Sequence, residues 1–538
     1  MTIAITALIP NPDAIPDACA LPAPVTQDTS LVDGRLEPWT GETTPVLSPI
    51  HVMQDGAPRP YVIGSCPVQD EAAAAAAVDA AWRAWDHGRG HWPTLSLGGR
   101  IRCVERFAQR MSEKRDEVSR LLMWEVGKSL AESYVEFDRT MEYVCDTVDA
   151  VKELDRTSSR FAIEKGIYAQ IRRAPLGPAL CMGPFNYPLN ETFCTLLPAL
   201  IMGNPAIVKT PRQGKLLFGP LLEPLRDCFP AGVVNVLYGT RRVVGPILQG
   251  GKINVLAFIG SSKAADALRR MHPHPHRLRC ILGLDAKNAA IILPSADMEL
   301  TGREVLQGTL AFNGQRCTAL KIVFVHHSHA DDLLARLCAG IDTLPMGMPW
   351  QEGVKITPVA EPDKPAYLTG LIEDAKAHGA RVVNPGGGET AHGFFRPALL
   401  YPVTPAMRVF HEEQFGPVVP IVPFTDTAEP VEAIIHSTFG QQMSIFGTDA
   451  DAVAELVDPM VNQVCRVNLN SLCQRGPDTF PFTGRKDSAE GTLSVGDALR
   501  CFSIRTLVAA KGTAENKALL TDILKHRRSS FLSTDFLL

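Results

Sequence analysis

One cysteine, within the stretch FNGQRCTALK, is the residue of this chain best suited to nucleophilic chemistry. Cys317 follows Arg316 and a Gly-Gln pair at the end of an apolar, helix-like run. A neighbouring guanidinium and nearby backbone N–H groups favour the thiolate over the thiol. This context predicts a cysteine with a lowered pKa. An inert core cysteine fits the same apolar surroundings and stays open as the alternative.

Four further motifs accompany this cysteine along the chain. They are GPFNYP with Pro184, Phe185, Asn186 and Tyr187, AIVKT with Lys209, AFIGSS with Phe258, Gly260 and Ser261, and EEQFGPV with Glu413 and Phe415. Together with NGQRCTALK they resemble, in the same order, the motifs of the aldehyde dehydrogenase superfamily. The resemblance covers about residues 45 to 510, which is nearly the whole chain.

The resemblance implies a covalent mechanism. Cys317 would attack an aldehyde carbonyl, and the oxyanion of the thiohemiacetal would accept hydrogen bonds from the Asn186 side chain and the Cys317 backbone N–H. Hydride would pass to a nicotinamide cofactor, and water would release the acid. The residues implied at the cofactor are Pro184, Phe185, Lys209, Arg212, Phe258, Gly260, Ser261, Glu413 and Phe415. Asn186 also fits a simple turn before Pro188.

Arg212 bears on the choice of cofactor. The resemblance places Lys209 at the adenosine ribose, and NAD-preferring relatives have a glutamate where this chain has Arg212. A carboxylate repels a 2′-phosphate, whereas a guanidinium pairs with it. The sequence therefore favours NADP, with NAD as the alternative. A solvated surface arginine is the other interpretation of Arg212.

Several arginines bear on the substrate. The chain is most similar to the non-phosphorylating glyceraldehyde-3-phosphate dehydrogenases, which share an arginine in FDRTMEY, a tyrosine after the catalytic asparagine, an arginine before the cysteine and the motif QRGPDxFPF. The implied substrate residues are Arg139, Tyr187, Arg316, Thr318 and Arg475. Three guanidiniums that converge on one tunnel require an anion. The set predicts a phosphorylated aldehyde, and a carboxylated one remains the alternative.

Two departures from the family pattern affect the proton relay. The general-base glutamate of most relatives is replaced by Gly283, and the lysine on the helix behind it is replaced by Thr195. Glu191 and Asp285 are the two carboxylates that could substitute, because each is expected beside the substrate tunnel. Glu191 is the preferred base. A carboxylate that neutralises an arginine is the other interpretation of Glu191, and a helix cap is that of Asp285.

The missing glutamate leaves three functions open. The first is oxidation of the aldehyde to an acid by an NAD(P)-dependent, non-phosphorylating dehydrogenase. The second is a semialdehyde dehydrogenase that passes the acyl group to coenzyme A. The third is a binding or assembly subunit that keeps the fold without the activity. Retention of Cys317 and Asn186 argues against the third.

The elements that must position these residues form an α/β pattern. Apolar runs at 179–185, 206–210, 233–239 and 254–260 read as buried strands that alternate with helices. This order predicts a parallel, doubly wound sheet with right-handed crossovers. A second alternating stretch begins at residue 289. The resemblance assigns the whole to the aldehyde dehydrogenase fold.

The predicted domains follow from this pattern and from the resemblance. They are an extended N-terminal arm at 1–45, a dinucleotide-binding domain at 46–152 and 176–285, a catalytic domain at 286–499, an oligomerisation β-flap at 153–175 and 500–511, and a C-terminal extension at 512–538. Within the extension, LLTDILKHRR predicts an amphipathic helix with a basic end. The apolar FLSTDFLL is expected on a neighbouring subunit or over a tunnel mouth.

Composition limits the partners. A net charge of -5 and the lack of long basic runs exclude general attraction to nucleic acid. No stretch is apolar enough to span a membrane. The thirteen cysteines are scattered and lack the spacing of metal ligands, which argues against disulfides and against a zinc site. This use of cysteine favours the cytoplasm. The HPHPH stretch is not expected to hold a metal. The resemblance implies a homodimer or homotetramer.

Overall fold

Two sheets of mainly parallel strands organise the chain, as seen in a computed structural model that describes residues 5–21 and 23–535. The larger sheet has eight strands, and its five central neighbours run parallel. Its spatial order is Ala489–Glu490, Arg279–Gly283, Val255–Ile259, Ala179–Met182, Ala206–Lys209, Val234–Leu237, Thr29–Val32 and Arg35–Pro38. Helices alternate with these central strands in sequence, so the doubly wound α/β fold is confirmed.

The second sheet has seven strands. Its order is Arg381–Val382, Ala398–Tyr401, Val418–Phe424, Ile322–His326, Ala289–Ile292, Gln442–Phe446 and Arg466–Leu469. All neighbours run parallel except the edge strand Arg381–Val382. Its first strand in sequence begins at Ala289, where the second alternating stretch was expected. The proposed domain boundary near residue 286 agrees with this start and remains a prediction.

Helices cover both sheets. The α-helices are Glu71–Trp85, His91–Thr94, Leu97–Ser112, Arg115–Val126, Leu130–Ser158, Asn190–Ile201, Gly219–Cys228, Arg241–Gln249, Ser262–Met271, Met298–Leu310, Ala330–Thr343, Lys364–Ala377, Arg408–His411, Ala428–His436, Ala450–Met460, Val495–Cys501 and Ala514–Lys525. Every residue of Asn190–Ile201 is buried. A helix surrounded by protein on all sides needs no polar face, which explains its uniformly apolar second half, residues 196–201.

The N-terminal residues differ from the predicted extended arm. Strands Thr29–Val32 and Arg35–Pro38 form a hairpin that extends the larger sheet, with Leu31 paired to Val236. The apolar side chains of this hairpin pack against the core of the larger sheet, and Leu31 is only 1% exposed. Strand Thr43–Gln54 pairs with Ala57–Pro67, and Val25–Thr26 joins that pair in a separate sheet.

An antiparallel flap projects from the larger sheet. Strand Ile167–Pro175 pairs with Ser503–Lys511 over its whole length and with Ala162–Glu164 on its other side. Exposed apolar side chains occur on all three strands, namely Ile163, Ile167, Ile504, Leu507 and Val508. Such a surface is typical of a contact with another protein chain.

The C-terminal extension folds back on the flap of its own chain. Helix Ala514–Lys525 matches the predicted amphipathic helix. Beyond it, the Ser533 backbone N–H donates to Gln170 Oε1 at 3.1 Å. The described part of this segment does not line the cavity at Cys317, so it does not cover the tunnel mouth of its own chain. Packing on a neighbouring subunit remains a prediction. The last three residues of FLSTDFLL lie outside the described residues.

Candidate active site

A cavity of about 990 Å³ opens where the central strands of the larger sheet end. Ligands of open α/β sheets bind at this carboxyl edge, because the loops there diverge. The residues that follow four of the strands line it, namely Gly183–Tyr187, Lys209 with Pro211–Gln213, Gly260–Ser261 and Leu284–Asp285. Cys317, Glu413 and Phe415 line the facing wall. One cavity thus collects most of the residues that the motifs predicted.

Cys317 lies just after a strained turn. Three consecutive residues, Phe312, Asn313 and Gly314, have positive φ angles of 50°, 55° and 68°. Such conformations cost about 1–3 kcal/mol each for residues with a side chain, and surrounding contacts must hold them. Asn313 supplies two such contacts, since its Nδ2 donates to the Thr357 carbonyl at 2.9 Å and its Oδ1 accepts from the Thr357 N–H at 3.1 Å.

The backbone carbonyl of Cys317 is fixed by two donors. Lys321 Nζ lies 2.9 Å from this oxygen and Asn288 Nδ2 lies 2.8 Å from it. The Cys317 backbone N–H has no acceptor within the described residues. The backbone of Cys317 is therefore held through its carbonyl, while its N–H remains available to a bound oxyanion.

The thiol of Cys317 does not have the predicted lowered pKa. Burial raises the pKa of this cysteine, and the carboxylate of Glu191 raises it further. Lys321 and Arg475 act in the opposite direction and are outweighed. The Arg316 guanidinium, expected to favour the thiolate, instead donates to Thr318 Oγ1 at 3.1 Å. In the unliganded protein the thiol form is favoured because burial penalises the charge.

Asn186 lines the same cavity, next to the segment that carries Cys317. Its Nδ2 donates to the carbonyl of Gln315 at 2.8 Å. An amide nitrogen has two hydrogens, so one remains for a ligand. Asn186 is 4% exposed. This arrangement resembles the predicted oxyanion site, in which the Asn186 amide and the Cys317 N–H act together.

A buried ion pair that sequence analysis missed supports Asn186. Lys128 forms an ion pair with Glu136, and its Nζ donates to the Asn186 carbonyl at 2.9 Å. Glu136 Oε1 also accepts from the backbone N–H groups of Leu189 and Asn190, at 3.0 and 3.1 Å. These bonds fix the turn into helix Asn190–Ile201. Nothing in the local sequence reveals the pair, because the two residues look like ordinary helix charges.

Glu191 and Asp285 line the cavity, and both have partners. Glu191 forms a buried ion pair with Arg475. Asp285 Oδ2 accepts from the Ser262 backbone N–H at 2.7 Å and from Ser262 Oγ at 2.8 Å. Asp285 thus caps helix Ser262–Met271, which was its alternative interpretation. Gly283 brings no carboxylate, and a Cβ there would lie 3.4 Å from Ile259 Cγ1.

The predicted arginine set does not line the cavity. Arg139 and Arg475 both bind Asp478, at 2.9 and 2.8 Å. Because Glu191 pairs with Arg475 as well, two guanidiniums are compensated by two carboxylates. Of the predicted substrate residues, Tyr187 lines the cavity, whereas Arg139, Arg316, Thr318 and Arg475 do not. The argument that converging arginines require an anionic substrate is therefore not supported by this arrangement.

The other end of the cavity contains cations without carboxylate partners. Burial lowers the pKa of Lys209 to about 8, and the charge of Lys215 adds to the effect. Arg212 is exposed and makes no ion pair among the described residues. Gln213 Oε1 is buried without a hydrogen-bond donor. Unpaired cations and an orphaned acceptor fit a ligand with phosphate and hydroxyl groups, such as an adenosine ribose phosphate.

Aromatic and glycine residues shape the space between this end and Cys317. The rings of Phe185 and Phe415 meet edge to face, with centroids 5.7 Å apart. Gly260 lies against Phe258, and a Cβ at this glycine would be 2.3 Å from the ring. Pro184 and Ser261 complete this part of the lining. Ser261 Oγ also caps the following helix by accepting from the Ala264 N–H at 3.2 Å.

Two buried lysines hold the loop that carries Glu413. Lys321 forms an ion pair with Glu413. Lys287 was not singled out from the sequence, and its Nζ donates to Gln414 Oε1 and to the carbonyls of Val409 and Glu412. Burial, followed by the charge of Lys321, lowers the pKa of Lys287 to about 7. Glu413 therefore faces the cavity from a rigid position.

The described residues include neither a metal site nor a helix that could span a membrane. Across residues 5–21 and 23–535, no group of histidine, cysteine and carboxylate side chains is arranged to hold a metal ion. None of the helices in these same ranges combines the length and hydropathy that crossing a membrane requires. All thirteen cysteines are free.

Comparison with known proteins agrees with this geometry. Residues 53–508 match the model of the aldehyde dehydrogenase family. The NADP-dependent glyceraldehyde-3-phosphate dehydrogenase of Streptococcus equinus is 32% identical over 429 residues, covering 78% of this chain and 87% of the relative. The protein of the same name from Apium graveolens is 29% identical over 78% of this chain and 84% of the relative.

A solved structure agrees as well. The NADP-dependent glyceraldehyde-3-phosphate dehydrogenase from Bacillus halodurans C-125, complexed with NADP, superimposes with a TM-score of 0.81 at 29% identity. The match covers 90% of this chain and 100% of that chain.

Proposed function

The chain belongs to the aldehyde dehydrogenase family, and from that premise we propose that it oxidises a phosphorylated aldehyde of the glyceraldehyde-3-phosphate class to the acid, with NADP as oxidant. One observation carries the proposal: a single cavity connects the thiol of Cys317 with the unpaired cations Lys209 and Arg212. The family membership makes the chain an NAD(P)-dependent aldehyde oxidoreductase, which disfavours a non-catalytic subunit.

Each residue has a role in the proposed reaction. The Cys317 sulfur adds to the carbonyl carbon, and the thiol proton leaves to a base. The oxyanion that forms accepts from the Asn186 amide and the Cys317 N–H. Bound NADP supplies the hydride acceptor. Cys317 then holds the acyl group as a thioester until water attacks it and the thiolate leaves.

Lys209 and Arg212 bear on the cofactor. In the proposed complex both cations face the adenosine end, where no carboxylate among the described residues neutralises Arg212. A guanidinium donates two hydrogen bonds to a 2′-phosphate, which NAD lacks. This difference supports the preference for NADP. Phe185 and Phe415 supply the apolar space between that end and the thiol.

We propose Glu191 as the base. Its charge raises the pKa of the Cys317 thiol, so the two groups interact electrostatically. Asp285 is less suited because Ser262 occupies its carboxylate through two hydrogen bonds. In the proposed reaction the ion pair between Glu191 and Arg475 opens, so that the Glu191 carboxylate, which lines the cavity, reaches the attacking water. Asp478 then remains as the carboxylate partner of Arg475.

Acyl transfer to coenzyme A is the second candidate. Every carboxylate that lines the cavity already has a partner, which favours a reaction that needs no free base. The pairs are Glu191 with Arg475, Asp285 with Ser262, Glu361 with Lys364, Glu412 with Arg408 and Glu413 with Lys321. A thiol acceptor with its own low pKa needs a base less than water does. This reaction would give a thioester product and no free acid.

The assembly and location are part of the proposal. Exposed apolar residues on the flap support a homodimer or homotetramer. Thirteen free cysteines support a reducing compartment, which is the cytoplasm.

The proposal is tested by NADP reduction with D-glyceraldehyde-3-phosphate. Wild type, Cys317→Ser and the matched control Cys338→Ser are compared at equal concentration. Cys338 is also partly exposed and lies outside the cavity. We expect reduction by wild type and control, and none by Cys317→Ser. Equal rates in all three proteins would overturn the proposal.

A further inference from the structure

A basic cleft lies at the flap, apart from the cavity at Cys317. It runs between the C-terminal end of helix Leu130–Ser158 and strand Ile167–Pro175. Two spaces of about 560 and 460 Å³ meet at its middle, where both are lined by Arg172 and Arg173. The two spaces share no lining residue with the cavity at Cys317.

Seven arginines line this basic cleft, namely Arg100, Arg160, Arg172, Arg173, Arg500, Arg505 and Arg528. One carboxylate lines it, that of Asp155, which lies 3.2 Å from Arg172. Arg500 and Arg528 have carboxylate partners on neighbouring turns of chain, Asp497 and Asp522. Positive charge thus clearly exceeds negative charge around a concave surface.

Two of these arginines have no counter-charge. Neither Arg160 nor Arg505 lies within ion-pair distance of a carboxylate in the described residues. The pKa of Arg173 is lowered, first by burial and then by the charges of Arg500 and Arg505. Guanidiniums that crowd together repel one another, and the repulsion falls when an anion binds between them.

Arg172 provides an independent indication of a missing acceptor. Its Nε is buried and has no hydrogen-bond partner. Its terminal nitrogens lie 3.2 Å from Asp155 Oδ1 and reach the backbone carbonyls of Ser530 and Asp535 at 3.5 and 3.4 Å. Buried hydrogen-bond donors are nearly always paired in folded proteins. The unpaired Arg172 Nε therefore indicates a position for the acceptor atom of a ligand.

We propose that the basic cleft binds a small anion that carries two phosphate groups. Phosphate oxygens accept paired hydrogen bonds from guanidinium, so each space suits one phosphate. Arg172 and Arg173, between the spaces, contact both groups. Ser529 and Ser530 of the C-terminal segment border the first space, so the bound anion also fastens this segment to the flap.

Pyrophosphate serves as the probe in calorimetric titrations of the full-length protein. Saturating NADP is present so that Lys209 and Arg212 are occupied. We expect one binding event in wild type and at least tenfold weaker binding in Arg160→Ala/Arg505→Ala. The matched control Arg59→Ala/Arg277→Ala removes two exposed arginines elsewhere and should bind like wild type. A third variant, Arg528→Ala, should weaken binding several-fold.

Three results would overturn the proposal. They are the absence of binding to wild type, equal binding in the first variant and its control, and a loss of binding that coincides with a lower mass in light scattering. The last result would mean that Arg160 and Arg505 pair with carboxylates of a second copy of the chain. Unchanged mass with lost binding supports the proposal.

Discussion

At the residue scale, burial and pairing decide what each charged group does. Cys317 has neighbours that look activating in the sequence, yet burial raises its pKa. Glu191 was the preferred base, yet Arg475 binds it, as its alternative interpretation had it. Sequence identifies residue types and their order, whereas the balance of desolvation and charge depends on contacts between segments far apart in the chain.

Removal of the Glu191 charge should activate the thiol. Because this carboxylate raises the pKa of Cys317, Glu191→Gln should shift the pH profile of Cys317 alkylation by iodoacetamide to lower pH. Asp285→Asn is the control, and its pH profile of Cys317 alkylation should match that of wild type. Alkylation is followed by mass spectrometry of the peptide that contains Cys317. An unshifted profile in Glu191→Gln would exclude this electrostatic interaction.

Cofactor affinity should fall at alkaline pH. The pKa of Lys209 is lowered to about 8, so its ammonium form dominates at pH 7 and its neutral form at pH 9. An anionic cofactor prefers the ammonium form, so the Kd for NADP should increase up to about tenfold from pH 7 to pH 9. Lys209→Met should bind more weakly and without this pH dependence. Fluorescence titration measures both, and a wild-type Kd independent of pH would contradict the assignment.

At the element scale, two long-range contacts shape the site. The turn after strand Ala179–Met182 depends on Glu136, which lies on helix Leu130–Ser158. The turn before Cys317 depends on Thr357. The strands and the helix Asn190–Ile201 were predictable, because apolar periodicity is local. The supporting contacts of Glu136 and Thr357 could not be predicted, since they join residues distant in sequence.

Loss of one member of the Lys128–Glu136 pair should destabilise the protein. Lys128→Met leaves a buried carboxylate unpaired, which costs about 3–5 kcal/mol. Lys128→Met/Glu136→Leu should recover much of this loss. Arg115→Met breaks the exposed pair between Arg115 and Asp138, which lies on the same helix as Glu136, and should cost less than about 1 kcal/mol. Urea unfolding measures all three, and equal losses for Lys128→Met and Arg115→Met would contradict the prediction.

At the scale of the whole molecule, the two sheets bring the loops proposed to bind the cofactor and the nucleophile Cys317 to one cavity. The carboxyl edge of the larger sheet and the segment that carries Cys317 line one cavity, and the flap strands do not line it. The parallel, doubly wound arrangement could be anticipated from the alternating pattern and the resemblance. The N-terminal hairpin could not, because proline-rich sequence hid its pairing with Val234–Leu237. The path of the C-terminal segment was also missed, since its apolar residues fit several surfaces equally well.

The flap should mediate assembly. Leu507 is 57% exposed on strand Ser503–Lys511, and a charge there would oppose burial against a second chain. Leu507→Asp should lower the mass measured by light scattering. Leu519 is 58% exposed on the C-terminal helix and provides the matched control, Leu519→Asp, which should keep the wild-type mass. Identical masses would exclude the flap as the contact.

The most direct test of the account measures both products of one reaction. Wild type is mixed with NADP and D-glyceraldehyde-3-phosphate without added phosphate or coenzyme A, and NADPH and the phosphorylated acid are quantified over many turnovers. The account predicts steady formation of both in equal amounts. A burst of one NADPH per Cys317 that then stalls would contradict hydrolysis and favour coenzyme A as acceptor, and no NADPH at all would contradict the proposed substrate.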